Sequence, residues 1–424
     1  MRVLLISANR EEMNMLAWPL GLACVAAATE RAGHEVNMLD LMGEDDPKAA
    51  VKEAMLQFHP EVIGISVRNI DDQNMENPKF LLEDVREVIR ICRTGSEAPI
   101  VLGGAGYSIF PVSSLEFLGA DMGIQGEGET AFPELLKRME EGRDFSGVPG
   151  LYVSGAGPQG ERSFAMELDE YPLPDTHLLS AAHYSDKEFW LPVQTRRGCP
   201  MNCSYCSTAV IEGCFIRKRS PEKVVQWLNV YVNSGFRRFY FVDNTFNLPP
   251  SYAQMLCSKL IEAELNVSWR CILYPVKIDE ELVRLMKKAG CEEVSVGFES
   301  GHELILHGMN KRFKPEDVRF SSDLLGKHGI RRMGFLLLGG PGETKESAKQ
   351  SLEFADSLKL ETMQVTVGIR IYPYTVLADR ALEEGLVAPN DNLLLPRFYV
   401  VPGLEEWLRE TVREWTASRP HWMT

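Results

Sequence analysis

The sequence predicts an α/β chain: a doubly wound domain, a second series of βα units, and a C-terminal helical tail. Three observations carry this. Short apolar runs, of the kind found in strands buried on both faces, alternate with helical patterns from Val3 to Gln125. The same alternation resumes at Leu191 and runs to Ile371. Between them, from about Glu141 to Glu188, the composition shifts to Gly, Pro, Ser and acidic residues. At 424 residues and 45% hydrophobic content the chain is long enough for two domains with sizeable cores.

In the first domain, placed at residues 1–140, Val3–Ser7 is the first strand. Pro19–Ala32 is a helix stopped by Gly33, and Val36–Leu41 the second strand. Asp46–Phe58 is a helix, Val62–Val67 a strand, Pro78–Cys92 a helix and Ile100–Leu102 a strand. Val112–Leu118 forms a short helix and Met122–Gln125 the fifth strand. In such sheets ligands bind beyond the carboxyl ends of the strands. Those ends carry Ser66-Val67-Arg68-Asn69, Gly103-Gly104-Ala105 and Gly126-Glu127-Gly128-Glu129. Glycines there let backbone approach a ligand, or make tight turns and nothing more.

Residues 141–190 read as a linker in which Leu151–Val153 and Ser163–Ala165 flank a Gly-rich turn as a small hairpin, before the extended Asp169–Asp175. In residues 191–388 the expected strands are Leu191–Arg197, Arg238–Val242, Val267–Leu273, Glu293–Phe298, Arg332–Leu338 and Gln364–Ile371. Ser220-Pro221, Asp279 and Thr344 supply helix-start chemistry between them. Residues 389–424 hold a Pro-broken apolar stretch and then a helix whose Leu404, Trp407, Leu408, Val412 and Trp415 share one face, as a lid-like extension packed over the preceding domain.

A net charge of -15, spread along the chain with only short basic runs, argues against a nucleic-acid surface. Nine cysteines, an odd number, in a chain that opens on a strand rather than a targeting segment point to a reducing, cytoplasmic compartment. No apolar run approaches the roughly 18 residues of a membrane span.

The most informative stretch is Arg197-Gly198-Cys199-Pro200-Met201-Asn202-Cys203-Ser204-Tyr205-Cys206. Thiolates at C-x3-C-x2-C can face one point from a looped backbone, and they select iron–sulfur clusters, zinc or copper(I). Zinc is the weaker reading, because no second pair of ligands at finger or ribbon spacing follows. The triplet closes a strand and carries an aromatic residue, Tyr205, before its last cysteine. In this it resembles the signature of the radical S-adenosylmethionine (SAM) enzymes. The domain ahead of it, with Gly-Gly after the fourth strand and Gly-Glu-Gly-Glu after the fifth, resembles the Rossmann-like cobalamin (B12)-binding domain of the B12-type radical SAM family. One departure is plain. The D-x-H-x-x-G motif, whose histidine ligates cobalt in many B12 domains, is absent; His34 and His59 lie in other contexts, and Asp175-Thr176-His177 falls in the linker.

The resemblance implies a partial (β/α)6 barrel with chemistry at its strand ends. It also implies a [4Fe–4S] cluster on Cys199, Cys203 and Cys206, with SAM on the iron they leave open. Asp243 or Asn244, after the second barrel strand, would meet the methionine amine. Glu299 would take the ribose hydroxyls or the amine, and Arg370 the carboxylate. Leu336 and Leu338 would form the adenine wall, with Tyr205 beside it. Cobalamin would lie against Ser66, Arg68, Asn69, Gly103, Gly104, Gly126 and Glu127, without a histidine on cobalt. Of the other cysteines, Cys271 points along a barrel strand and is a lead toward the cavity; Cys214 packs as a small apolar residue.

The function so implied is cleavage of SAM to a 5′-deoxyadenosyl radical, with cobalamin-dependent methylation of an unactivated carbon in a small or lipid-like substrate. A flavodoxin or ferredoxin would supply electrons. The alternative is a radical SAM rearrangement, cyclisation or coupling, with or without bound cobalamin. A methylthiotransferase fits less well, since three further cysteines in the first domain and a basic RNA-binding tail are missing. A non-enzymatic cobalamin or iron–sulfur carrier would not need the polar strand ends around an open iron.

Overall fold

The computed structural model describes residues 1–11, 18–179 and 189–424; the end of the expected linker, 180–188, lies outside these. The first sheet is built from β1 (Arg2–Ser7), α1 (Leu20–Arg31), β2 (Glu35–Asp40), α2 (Pro47–Phe58), β3 (Val62–Ser66), α3 (Leu82–Gly95) and β4 (Ile100–Gly103). It continues through α4 (Ala105–Ile109), α5 (Pro111–Leu118), β5 (Met122–Ile124), α6 (Gly128–Glu141), β6 (Leu151–Val153) and β7 (Gly157–Pro158). The strand order is β2-β1-β3-β4-β5-β6-β7, with β1 to β5 parallel. Strand order reverses between β1 and β3, which opens a crevice at their carboxyl ends.

Local chemistry explains the elements. Val3–Ser7 is wholly buried, as the apolar run requires. Asp46 caps α2 by accepting from the Lys48 and Ala49 amides, and Pro47 fills the first helical position. Two expectations shift. The helix expected from Pro78 starts at Leu82, because the preceding residues fold back: Asp71 bridges Phe80, and the Leu81 amide donates to the Ile70 carbonyl. The hairpin pairs Leu151–Val153 with Gly157–Pro158, not with Ser163–Ala165, and β6 adds antiparallel to β5. Gly155 and Gly157 carry the positive φ that permits so tight a return.

The second unit begins with β8 (Leu191–Val193), β9 (Arg196–Arg197), α7 (Thr208–Glu212), β10 (Arg217–Lys218) and α8 (Pro221–Asn233). β11 (Arg238–Phe241), α9 (Pro250–Glu262), β12 (Ser268–Leu273), α10 (Glu280–Lys288), β13 (Cys291–Glu299), α11 (Glu303–Gly308) and α12 (Pro315–Lys327) follow. The chain then forms β14 (Arg331–Leu338), α13 (Lys345–Ser357), β15 (Thr362–Val367), β16 (Ile369–Arg370), α14 (Val376–Glu383), β17 (Phe398–Tyr399), α15 (Glu405–Ala417) and β18 (Trp422–Met423). β8, β11, β12, β13, β14 and β15 form one parallel sheet in chain order, the partial barrel.

The tail extends that barrel. α15 buries Leu408 and Val412, and β18 pairs parallel with β15 as a seventh strand. It is therefore part of the wall, not a lid. Among the described residues no helix is long and apolar enough to cross a membrane. One hydrophobic cluster runs through both units, joining Val3, Leu5 and the α1 face to Leu191, Phe239 and the barrel helices. Trp18 from the first unit meets Tyr231 of α8 edge-on, with ring centroids 6.5 Å apart.

Candidate active site

The cysteine loop leaves β9, which pairs antiparallel with β10. Gly198 has φ 89°, and a Cβ there would stand 2.1 Å from the Phe215 carbonyl oxygen, so only glycine fits. The Cys199 amide donates to Gly213 O at 3.1 Å, the Ser204 amide to Met309 O at 3.0 Å, and the Leu377 amide to Ser204 O at 2.9 Å. The loop is thus held by three separate elements. Cys199, Cys203 and Cys206 are half-buried and unpaired, whereas Cys214 is exposed. Burial pushes the Cys199 thiol up to about 11, with its Cys206 and Cys203 neighbours adding to the shift, and burial also raises Cys203. For Cys199 and Cys203 the charge of a bound cation would offset this burial and favour the thiolates, which fits them to a metal cluster.

Beside the loop stands a group that sequence reasoning found only in part. Glu299, at a bulge where β13 ends, has φ 61° and accepts at Oε1 from the Tyr205 hydroxyl at 3.0 Å and from Lys311 Nζ at 2.9 Å. Lys311 also lies 5.4 Å from the centre of the Tyr205 ring. Burial pulls the Lys311 pKa down, but Glu299, Tyr205 and Cys203 together outweigh it and hold the ammonium well above the usual lysine range. Burial, then Glu299, lifts Tyr205 well above its usual range. Lys311 was missed because Lys311-Arg312 reads as one more short basic run.

Several expected SAM contacts move. Asp243 is fully buried; its carboxylate accepts from the Thr195 and Arg196 amides and pairs with Arg196 Nε at 3.2 Å. It fastens the chain between β8 and β9 rather than meeting a ligand. Asn244 remains near the loop, donating to Glu212 Oε2 at 2.7 Å. That carboxylate also accepts from the Gly198 amide at 3.1 Å and, at Oε1, from Gln194 at 2.8 Å. Glu212 is therefore a second organising residue the sequence did not disclose. Arg370 is bonded to Asp71 and to backbone carbonyls, so it offers no fork to a SAM carboxylate. Leu336 and Leu338 face the covering helices, on the side where a Cβ at Gly334 would strike Leu360 and Met363. With side chains alternating along β14, it is Phe335 and Leu337 that face inward. Cys271 likewise lies on the buried, helix-facing side of β12, in the core with Cys257 and Cys291.

A cavity of about 360 Å³ runs from the carboxyl ends of the first sheet into the barrel. Ser66, Arg68, Gly103, Gly104, Gly126 and Glu127 line it on one side, and Gln194, Arg197, Glu212, Tyr240 and Val242 on the other. Asn69 falls in an adjoining cleft, where its amide meets Asn9 at 3.4 Å. Gly104 has φ 97°, and a Cβ there would stand 2.6 Å from Val67 O, so strand end and loop are in contact. Glu127 reaches the wall with its carboxylate already engaged: Arg217, Arg197 at 3.2 Å, and the Ala165 amide at 2.9 Å. Arg197 also pairs with Glu129, which ties the cysteine loop to the start of α6. The residues present fit a flat macrocycle laid across glycine-edged strand ends. Among the described residues no histidine lines this cavity: His34 sits against the N-terminus, His59 ends α2, and His177 meets Glu30.

After β14, Glu343 is buried and accepts from the Gly339 amide at 2.6 Å. Burial, only partly offset by that amide, raises its pKa from 4.5 to about 7. The folded state thus favours the protonated acid, a contribution complete below about pH 4.5 and lost as pH rises through about 7. Its upper size is on the order of 3 kcal/mol. Thermal melts should show wild type losing more stability than Glu343→Gln between pH 5 and 8; parallel profiles would refute this.

Family models agree with the geometry. The radical SAM superfamily model matches residues 193–355, and the B12 binding domain model matches residues 8–136. The chain belongs to the radical SAM enzymes that carry a B12-binding domain, which use a [4Fe–4S] cluster, SAM and cobalamin. It is 28% identical over 399 residues to an uncharacterized methyltransferase of Pyrococcus horikoshii, covering 91% of this chain and 84% of that one. It is 23% identical to the tryptophan 2-C-methyltransferase of Streptomyces laurentii, over 86% of this chain and 72% of that protein. In fold it matches the radical SAM methyltransferase TsrM of Kitasatospora setae, solved with cobalamin and a [4Fe–4S] cluster. The TM-score is 0.89 at 23% identity, covering 100% of this chain and 92% of that one.

Proposed function

We propose that this enzyme transfers a methyl group from SAM, by way of cobalamin, to an unactivated carbon of a small or lipid-like substrate. The observation that carries this reading is the cavity, which joins the glycine-edged strand ends of the B12 domain to the barrel interior beside the cysteine loop. When bound, the cluster and SAM supply hydrogen-atom abstraction, and cobalamin supplies the methyl group. Cys199, Cys203 and Cys206 hold the cluster, and Glu299 with Asn244 supplies polar contacts to SAM. Apolar side chains on the cavity wall, among them Trp18, Leu22 and Phe132, exclude water. A flavodoxin or ferredoxin is the electron donor.

The test needs no substrate. Anaerobic protein given SAM, cobalamin and a reductant should form both S-adenosylhomocysteine and 5′-deoxyadenosine. 5′-Deoxyadenosine alone would refute methyl transfer and favour rearrangement, cyclisation or coupling; neither product would refute radical SAM chemistry as well. Bound cob(II)alamin should also show no nitrogen splitting of its cobalt resonance. Splitting that disappears on replacing His34, His59 or His177 would overturn the histidine-free lower face.

A further inference from the structure

Arg370 lies at the end of β16, in the second unit, yet its guanidinium is bonded into the loop that follows β3 in the first. Nε donates to Asp71 Oδ2 at 2.7 Å, with the two side chains only 2% and 1% exposed. Nη1 donates to Ile371 O at 2.5 Å, and Nη2 to Leu393 O at 2.9 Å and Leu394 O at 3.3 Å. The rings of Phe110 and Tyr372 lie 5.8 and 5.1 Å from the guanidinium carbon. A charge this deeply desolvated is tolerated only where its donors are matched, and each of its three nitrogens has a partner.

The loop so anchored runs from Val67 to Asp71. At its near end the Gly106 amide donates to the Val67 and Arg68 carbonyls, both at 3.0 Å. At its far end Asp71 holds Arg370 through Oδ2 and accepts from the Gln73 amide at 3.0 Å through Oδ1. Between these anchors stand Arg68, on the cavity wall, and Asn69, in the cleft beside it. The near end is held within the first domain; the far end, which also bridges Phe80 and Leu81, has in addition a partner from the second unit, Arg370.

We propose that Asp71 and Arg370 are a positioning pair. They set the Arg68–Asn69 loop against bound cobalamin, so that the short β16–β17 ribbon following the last barrel strand governs the surroundings of the cobalt. The inference rests on the cobalamin reading above. Neither residue touches the cofactor; both act through the loop.

The test uses the full chain with its cluster reconstituted, in the variants Asp71→Asn, Arg370→Gln, the double variant and Arg370→Lys. Removing both charges avoids stranding one of them in the interior, so the double variant is the one to compare even where a single fails to fold. Iron content, SAM affinity, melting temperature, cobalamin affinity and the cob(II)alamin paramagnetic spectrum are measured together. In the double variant, iron content and SAM affinity should match wild type, the cobalt spectrum should change, and cobalamin affinity should fall by roughly tenfold or more. Arg370→Lys, which keeps the charge but not the fork, should lie between. A lowered melting temperature with wild-type cobalt spectrum and affinity would overturn the proposal and leave the pair a simple joint. Wild type that binds no cobalamin would overturn the underlying reading, and would do so before any variant is made.

Discussion

Alanine at Cys199, Cys203 or Cys206 is expected to leave anaerobically reconstituted protein without its four-iron cluster and without SAM cleavage. Each of the three thiols is half-buried in a loop held by Gly213, Met309 and Leu377. Cys214 is exposed, and Cys24, Cys92, Cys257, Cys271 and Cys291 are buried in cores. Cys214→Ala should therefore retain full iron content and the sulfur-to-iron absorption band. Iron loss in Cys214→Ala would make it a fourth ligand and remove the open iron on which SAM binding depends.

The second large effect is expected at Lys311. Its side chain is 6% exposed and that of its partner Glu299 12%, so Lys311→Met strands a carboxylate in the interior. Breaking a buried pair in this way costs about 3–5 kcal/mol, and the melting temperature should drop by several degrees. Pairing the change with Glu299→Gln removes the stranded charge and should recover most of that stability. SAM affinity should not recover, because a polar ligand group deleted from a buried site weakens binding by roughly 5- to 150-fold. Equilibrium binding of SAM to the double variant, at unchanged iron content, is the deciding measurement. Wild-type affinity there would make the Lys311–Glu299 pair purely structural.

The elements were legible where one residue type had one physical reading. Apolar runs such as Val3–Ser7 could only be buried strands, and Ser220-Pro221 could only start a helix; both do. Phase was lost where the sequence carried none. Phe335-Leu336-Leu337-Leu338 is apolar at every position, so alternation could not say which pair faces inward; Gly334, crowded against Leu360 and Met363, shows it. Long-range pairing was also invisible. Asp71 and Arg370 are 299 residues apart, and nothing local to either marks the other. Asp243 looked like a ligand because it sits at a strand end, but its acceptors are taken by the neighbouring backbone of Thr195 and Arg196. Lys311 needed the fold to bring it across to Tyr205. The two-residue strand at Trp422 is too short for any periodicity to register.

The shared hydrophobic cluster has a thermodynamic consequence. Since Val3, Leu5 and the α1 face are packed into the same continuous core as Leu191, Phe239 and the barrel helices, the free energy holding each unit folded is partly stored in the other. Neither half draws its stability from its own contacts alone. Severing the chain between them would expose apolar surface on both pieces, and heating should unfold them in one cooperative step. A substitution in the shared core of one half should therefore lower the melting temperature of both.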